Sequence, residues 1–396
     1  MSRPVVLSSA ALNRATLARQ LFLERAAVDP VAAAGAVGGL QAQEPASPFI
    51  ALWTRLEGLD AGAVRTAFEE RRLVKATLMR GTLHAVPAAD YRQLAPAMAP
   101  LIDGALSRAG RGPRPDDASL ARFRAAAVEL AATPRRNSEL RDLLAALEAA
   151  GGTADAGAAQ RTDGGGTWWW IRRHVPLVHA PVEAPWSFER RPWLVAADAW
   201  LTGDGGFADA TAGTVHLLRR YLGAFGPATI ADAASWSRLQ VALLRPVLAT
   251  LEAAGELVHL RDEAGRALVD LVGAARPDET TPAPPRLLPM WDSVLLGHAD
   301  RSRIVAAADR ARVVAANGDT YPTFLVDGRV AGLWWAVAEH GRTRIELEPF
   351  RELAAGTRHA LEREAEALAA FVEPHEPDVY RRYRGSRDRR VTGTIG

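Results

Sequence analysis

The chain has 396 residues, no cysteine and a net charge of +2. This excludes disulfides, cysteine-ligated zinc and cysteine-ligated iron–sulfur clusters, and it excludes a strong global field for nucleic acid. With 48% hydrophobic and 24% charged residues, it reads as a globular chain long enough for two to four domains. No long apolar run or leader pattern appears, so a cytoplasmic protein without a membrane partner is expected. Lys75 is the only lysine, the other strongly basic residues being arginine. Composition bias is the plain explanation. It still leaves Schiff-base chemistry a single internal candidate besides the terminal amine.

The first hundred residues read helix, helix, helix, hairpin. Leu17, Leu21 and Phe22 make a helical stripe. Asp29-Pro30 pairs an N-cap with a proline at the first helical position. That second helix weakens at Gly38-Gly39 and is expected to close at Gln41-Ala42-Gln43, before the proline-broken loop Glu44 to Pro48. Ser47-Pro48 repeats the start signal ahead of Ile50, Leu52 and Trp53. Asp60 can cap a helix carrying Val64, Ala67 and Phe68. Leu73 to Met79 and Thr82 to Val86 then alternate as strands about a turn at Arg80-Gly81. Helices followed by a two-stranded wing describe a winged helix, a DNA-docking module.

The order recurs. Val215 to Leu222 form a helical face, Thr229 can cap Ile230 to Ser235, and a longer helix covers about 239–254. Strands at 256–260 and 267–271 make a second wing. The middle of the chain offers a third copy, with Ser138 capping a helix through Leu140 and Leu147 and strand material from Trp168 to His179. Three such units point to a tandem array. Arg108 to Ser119 and Gly151 to Gly166 are expected loops, and Asp278 to Pro285 a linker. Beyond it, Thr323 to Val326, Arg329 to Ala338 and Thr343 to Leu347 predict a small antiparallel sheet, closed by a helix over 353–371. The expected class is α+β, mainly α: tandem winged-helix units at 8–100, 101–205 and 206–277, a C-terminal antiparallel β-rich, barrel-like domain at 286–375, and a basic tail at 376–396.

Three motifs in order resemble the AlkZ-like winged-helix DNA glycosylases. They are Leu40-Gln41-Ala42-Gln43 with Ser47-Pro48, Arg80-Gly81-Thr82-Leu83-His84, and the pair Leu288-Pro289-Met290-Trp291-Asp292 and Val326 to Gly332. Together they span roughly residues 10–375. The resemblance implies excision of N7-alkylated purines from double-stranded DNA, including bulky adducts and interstrand crosslinks made by alkylating natural products. It implies that Gln41 and Gln43 carry catalysis; no cofactor is expected. A related branch has aspartate at the second position, so Gln43 favours the self-resistance branch.

The chemistry is self-consistent. Alkylation at N7 makes the purine a cation and hence an activated leaving group, so no acid is required. Glutamine cannot take a proton at neutral pH, but it can orient a water and offer a carbonyl dipole to a developing oxocarbenium ion. Such an enzyme is expected to be monofunctional and to act as a monomer. Arg80 and His84 in the wing, and Arg172 and Arg173 beside Trp168-Trp169-Trp170, are the candidate DNA contacts. A solvated turn, a packed histidine and a core strand are the plain alternatives for them. Asp292 and Arg329 read as a structural ion pair or turn ligands. The tail Tyr380-Arg381-Arg382-Tyr383-Arg384 reads either as solvated or as a DNA-contacting arm. The nine histidines show no metal spacing, so no metal is expected. Two rivals remain: a winged-helix transcription regulator and a protein that sequesters the alkylator without chemistry.

Overall fold

The computed structural model describes residues 5–101, 116–150, 175–201 and 206–391. The predicted loop 151–166, Trp168 to Trp170, and Arg172 and Arg173 lie outside the described residues.

Strand β1 (Val6–Leu7) leads into helix α1 (Ser9–Arg19), whose start is capped by Ser8 Oγ accepting from Ala11 N at 3.0 Å. Helix α2 (Pro30–Ala36) starts as predicted, with Asp29 accepting from Val31 N. It does not run on to Gln41. Gly38 and Gly39 take φ of 78° and 90°, a left-handed pair that ends a helix and turns the chain. A Cβ on Gly39 would stand 2.8 Å from Val86 Cγ1, so two backbones approach closely there. The chain emerges as strand β2 (Leu40–Gln41). Helix α3 (Ala46–Trp53) has Pro45 rather than Ser47 at its start. Ser47 lies inside it, fully buried, with its hydroxyl 2.9 Å from Tyr380 Oη. Helix α4 (Ala61–Glu69) is capped by Asp60. Strands β3 (Leu73–Thr77) and β4 (Leu83–Pro87) and helix α5 (Ala88–Ala97) follow.

The middle segment holds α6 (Asp117–Leu130), β5 (Arg135–Arg136), α7 (Asn137–Ala150), β6 (Leu177–His179), β7 (Trp193–Ala196) and the single turn α8 (Ala197–Trp200). Asp116 caps α6, so the end of the predicted loop 108–119 is a helix start, and Ser138 lies within α7 rather than before it. The β3–β4 hairpin is not a free wing. It is central in a six-stranded antiparallel sheet ordered β2-β4-β3-β6-β7-β5. The first and middle segments therefore share one layer.

Helices α9 (Ala210–Phe225), α10 (Ile230–Ser237) and α11 (Val241–Ala253) precede the hairpin β8 (Leu257–Asp262) and β9 (Ala267–Leu271). Thr229 and Asp232 form a reciprocal capping box, which satisfies two orphan donors. Strand β1 adds to this hairpin in parallel with β8, an addition two residues cannot announce in sequence. Beyond the linker come β10 (Arg286–Leu288), the turn α12 (Arg310–Val313), β11 (Thr323–Val326), β12 (Arg329–Glu339), β13 (Arg342–Pro349), α13 (Ala355–Val372) and α14 (Arg381–Val391). Strands β10 to β13 form an open antiparallel sheet in sequence order, not a barrel. Residues Arg381–Val391 of the basic tail form α14.

The six-stranded sheet separates two cores. Leu40, Leu73 and Ala85 face Phe49, Phe68, Trp334 and Leu368. Val74, Ala76 and Val86 face Tyr221, Phe225 and Trp236. Two buried ion pairs tie the segments together. Arg19 forks onto Asp270 at 2.7 and 2.8 Å. Arg55 forks onto Asp292 at 2.8 Å twice, with both side chains fully enclosed. Asp292 thus pairs with Arg55, whereas Arg329 donates to the Ser302 carbonyl. Breaking such a pair strands a buried charge, and replacing both members does not. Asp292→Ala is expected to lose about 3–5 kcal/mol in denaturant unfolding, and Arg55→Met/Asp292→Leu to recover most of it. Equal losses in the two variants would contradict the pairing.

Candidate active site

Pairing of β2 with β4 sets Gln41 directly across from His84, and β3 sets Ala76 on His84's other side. Cross-strand partners share a face. Gln41 and His84 therefore point to the α9–α11 side of the sheet, where both are buried at 5% and 1% exposure. Arg80 occupies the turn between β3 and β4 with φ 58°, followed by Gly81 at φ 69°. This left-handed pair folds the Arg80 side chain back over β4. Its Nη2 donates to Gln41 Oε1 at 2.7 Å and lies 3.2 Å from His84 Nε2, while Nη1 donates to the Trp236 carbonyl at 2.8 Å.

The tautomer of His84 follows. Its Nδ1 is 3.0 Å from the Thr82 carbonyl, which can only accept, so Nδ1 carries the hydrogen and Nε2 accepts from Arg80. Burial, reinforced by the Arg80 charge, pushes the imidazole down to about 3, and the ring is neutral. Burial, with the like charges of Arg301 and Arg238, brings Arg80 down to about 10. It remains a cation at neutral pH.

Gln43 stands at the exposed rim. Ala42 N donates to the Leu83 carbonyl at 2.8 Å, and Leu83 N donates to Gln43 Oε1 at 2.7 Å. Both glutamine amides are thus oriented by groups that can only donate. Among the described residues each oxygen accepts from one donor, leaving capacity for a second. Glu44, next in the chain, is turned away. It accepts from Arg382 and from Tyr383 Oη at 3.0 Å, with Arg190 at 3.7 Å. The C-terminal helix therefore braces the loop that carries Gln43, and Arg387 holds α14 to Glu348 at 2.7 Å. Nothing local in the sequence links Glu44 to residues more than 330 positions away.

The structure thus brings together Gln41, Arg80 and His84, with Gln43 beside them through Leu83. Arg80 and His84, read as DNA contacts, are turned inward onto Gln41. Sequence reasoning missed the Trp236 carbonyl, Glu44 and the bracing tyrosines. No cluster of His, Asp or Glu among the described residues can hold a metal, and none of their helices is long and apolar enough to cross a membrane.

The sequence model of the family described as "DNA glycosylase AlkZ-like" matches residues 34–371. The chain belongs to the AlkZ-like DNA glycosylase family. Among solved structures, Streptomyces sahachiroi DNA glycosylase AlkZ is similar over 94% of this chain and 98% of that one, with a TM-score of 0.74 and 22% identity. That likeness establishes the shared fold. No curated protein matches the sequence. Within this fold the two donor-held amides lie beside a neutral imidazole, with the Arg80 cation on Gln41 Oε1.

His84's pKa lies below its unfolded value of about 6.5. Its neutral form therefore adds stability that is fully present above about pH 6.5 and is lost as pH falls toward the folded value. Imidazole ¹⁵N shifts are expected to report the neutral Nδ1–H tautomer unchanged from about pH 8 to about pH 5. A ring that protonates near pH 6 would contradict the buried contact with Arg80.

Proposed function

We propose that the chain is a monofunctional DNA glycosylase that hydrolyses the N-glycosidic bond of N7-alkylated guanine in double-stranded DNA. The observation that carries this reading is the pair of donor-fixed amides, Gln41 and Gln43, with no carboxylate hydrogen-bonded to either among the described residues. Glu44, the adjacent acid, is held by Arg382 and Tyr383. Amides can align a water and present carbonyl dipoles to an oxocarbenium ion, but they cannot protonate a leaving base. Such a site needs a leaving group already cationic, which N7 alkylation supplies. Unmodified bases are inert to it. By resemblance, Gln43 rather than aspartate favours bulky natural-product adducts or interstrand crosslinks, and a role in self-resistance.

Monofunctional chemistry is supported by Lys75. It lies opposite Ala85 in the β3–β4 register, on the sheet face away from Gln41. Its ammonium sits 4.6 Å from the centre of the Phe188 ring, buried to 3% exposure. Burial, partly offset by Glu44, brings it down to about 8, yet the sheet separates it from Gln41.

We read α9, α10, α11 and the β8–β9 hairpin as a winged helix, with α11 in the recognition position. Its exposed residues are Ala242, Leu243, Arg245, Pro246, Ala249, Thr250, Glu252 and Ala253. Ser237 is buried, its hydroxyl spent on the Ala233 carbonyl. So few base-reading groups favour a damage enzyme over a sequence-specific regulator.

Duplex DNA carrying N7-alkylguanine is expected to release the base with wild type and to leave alkali-labile abasic sites without direct nicks. Gln41→Ala/Gln43→Ala is expected to be slower by about 100-fold or more. No release of any N7 adduct, with tight binding to one undamaged sequence, would leave the regulator. Binding of the free alkylator without release would leave the sequestering protein. Borohydride is expected to trap no protein–DNA adduct, and a trapped adduct lost in Lys75→Arg would overturn the monofunctional assignment.

A further inference from the structure

Trp291 and Tyr380 stand in the left-handed region, at φ 55° and 67°. That backbone is costly for a bulky residue and persists only where the surroundings over-determine it. Trp291 is held by its own N–H, which donates to the Thr320 carbonyl at 3.3 Å, and by Asp292, locked onto Arg55. Tyr380 is buried at the point where the chain enters α14. The two residues converge on one segment. The Tyr380 ring packs on Trp334 with centres 5.7 Å apart, and its hydroxyl lies 2.9 Å from Ser47 Oγ. The Trp291 ring meets Tyr383 edge-on at 5.4 Å, and the Tyr383 hydroxyl donates to Glu44 Oε1 at 3.0 Å. A tryptophan fixes each phenol ring, and each phenol fixes one residue at the start of α3.

Glu44 is the inner end of this brace. It is buried, and Arg382 Nη2 donates both to its Oε1 and to Tyr383 Oη. Burial, reinforced by the Glu44 charge, raises the Tyr383 phenol, so it stays protonated and donates. Charge-assisted bonds of this kind are the strong ones. Gln43, the residue before Glu44, is exposed, so packing does not place its amide. Two anchors do: Leu83 N on its Oε1 at 2.7 Å, and Glu44 through the chain.

We propose that Glu44 is a positioning residue for the reaction, and that Tyr383, seated on Trp291, sets through it where the Gln43 amide meets the reacting sugar. This rests on the glycosylase reading for the reaction whose rate it sets. The carboxylate is spent on Arg382 and Tyr383, so the brace acts through Gln43 and not on the substrate. Its consequence is kinetic. A catalytic group displaced by about 1 Å can cost about 100-fold in rate, while the DNA contacts are untouched. Loosening the brace therefore slows bond cleavage without weakening DNA binding.

The test compares Tyr383→Phe, Glu44→Gln and Glu44→Ala in the full-length protein. Three quantities are read: single-turnover release of N7-methylguanine from duplex DNA at saturating protein, duplex affinity by anisotropy, and hydrogen exchange of the Leu83 amide, whose acceptor is Gln43. Tyr383→Phe keeps the ring on Trp291 and removes only the hydroxyl. It is expected to slow release by about 10-fold, with affinity unchanged and Leu83 exchange accelerated. Glu44→Gln keeps an acceptor for the phenol but not the charge that holds Arg382, and it is expected to lose less than Glu44→Ala. In a Gln43→Ala background none of the three is expected to slow release further, because the group they position is gone. Wild-type release and wild-type Leu83 exchange in Tyr383→Phe and Glu44→Ala would overturn the assignment. So would an undiminished loss in the Gln43→Ala background, or exchange accelerated evenly along the chain, either of which marks a general loss of stability. Weakened affinity with the release rate retained would place Glu44 in the binding surface and overturn it as well. A wild type that releases no base removes the glycosylase reading, and Leu83 exchange then decides the brace by itself. Release by wild type with rate and exchange unmoved in the variants removes the positioning role alone.

Discussion

The register of β2 on β4 is the constraint on which the site depends. Two residues of pairing, Leu40 with Ala85 and Gln41 with His84, decide which face of the sheet receives Gln41. A slip of one residue would send it to the opposite face, into the core of Phe49 and Trp334 and beside Lys75. Three features pin the register: the left-handed Gly38-Gly39 corner, the close approach of Gly39 to Val86, and the Ala42–Leu83 hydrogen bond. Arg80 completes the arrangement. A buried guanidinium needs acceptors, and it finds them in Gln41, His84 and the Trp236 carbonyl, so the turn, strand β2 and the end of α10 are held by one side chain.

The remaining motifs of the resemblance serve the frame. Asp292 of the Leu288–Asp292 stretch closes the buried pair with Arg55. The Asp327-Gly328 turn receives Asn13 Nδ2 on the Gly328 carbonyl at 2.8 Å. A Cβ on Gly328 would stand 2.4 Å from Leu17, so α1 packs directly on that turn. These contacts join the ends of the chain around the sheet. Tyr380 and the C-terminal helix that follows it extend the same logic, reaching Ser47 and Glu44 respectively from far along the sequence.

Elements governed by local signals were legible in the sequence. Asp29-Pro30, Asp60 and Thr229 each start a helix, and β11, β12 and β13 fall where alternation and the Asp327-Gly328 turn place them. Gln41 was misplaced on a helix because the alanine-rich stretch before it has helical propensity. Only tertiary contact with Val86 reveals that the two glycines turn left. The hairpin at Arg80 was read correctly but as a free wing, since nothing in its own residues shows that β6 pairs with Lys75 and Ala76. The C-terminal sheet was read as barrel-like, yet β10 and β13 remain its separate edges. The inward turn of Arg80 and His84 was illegible for a similar reason: an arginine at a turn looks solvated until α10 packs over it. Glu44's partners come from segments far apart in sequence, which no spacing rule connects.

The central claim is that the glycosidic bond breaks beside Gln43 at the rim and the buried Gln41 behind it. The most direct test is a crystal structure of the protein with product duplex containing one abasic site. The account predicts that the anomeric carbon of that site lies within direct or single-water reach of the two amides, about 3–5 Å, with Arg80 still on Gln41 Oε1. A duplex seated on the Arg245 face of α11, with the glutamine rim empty, would contradict it.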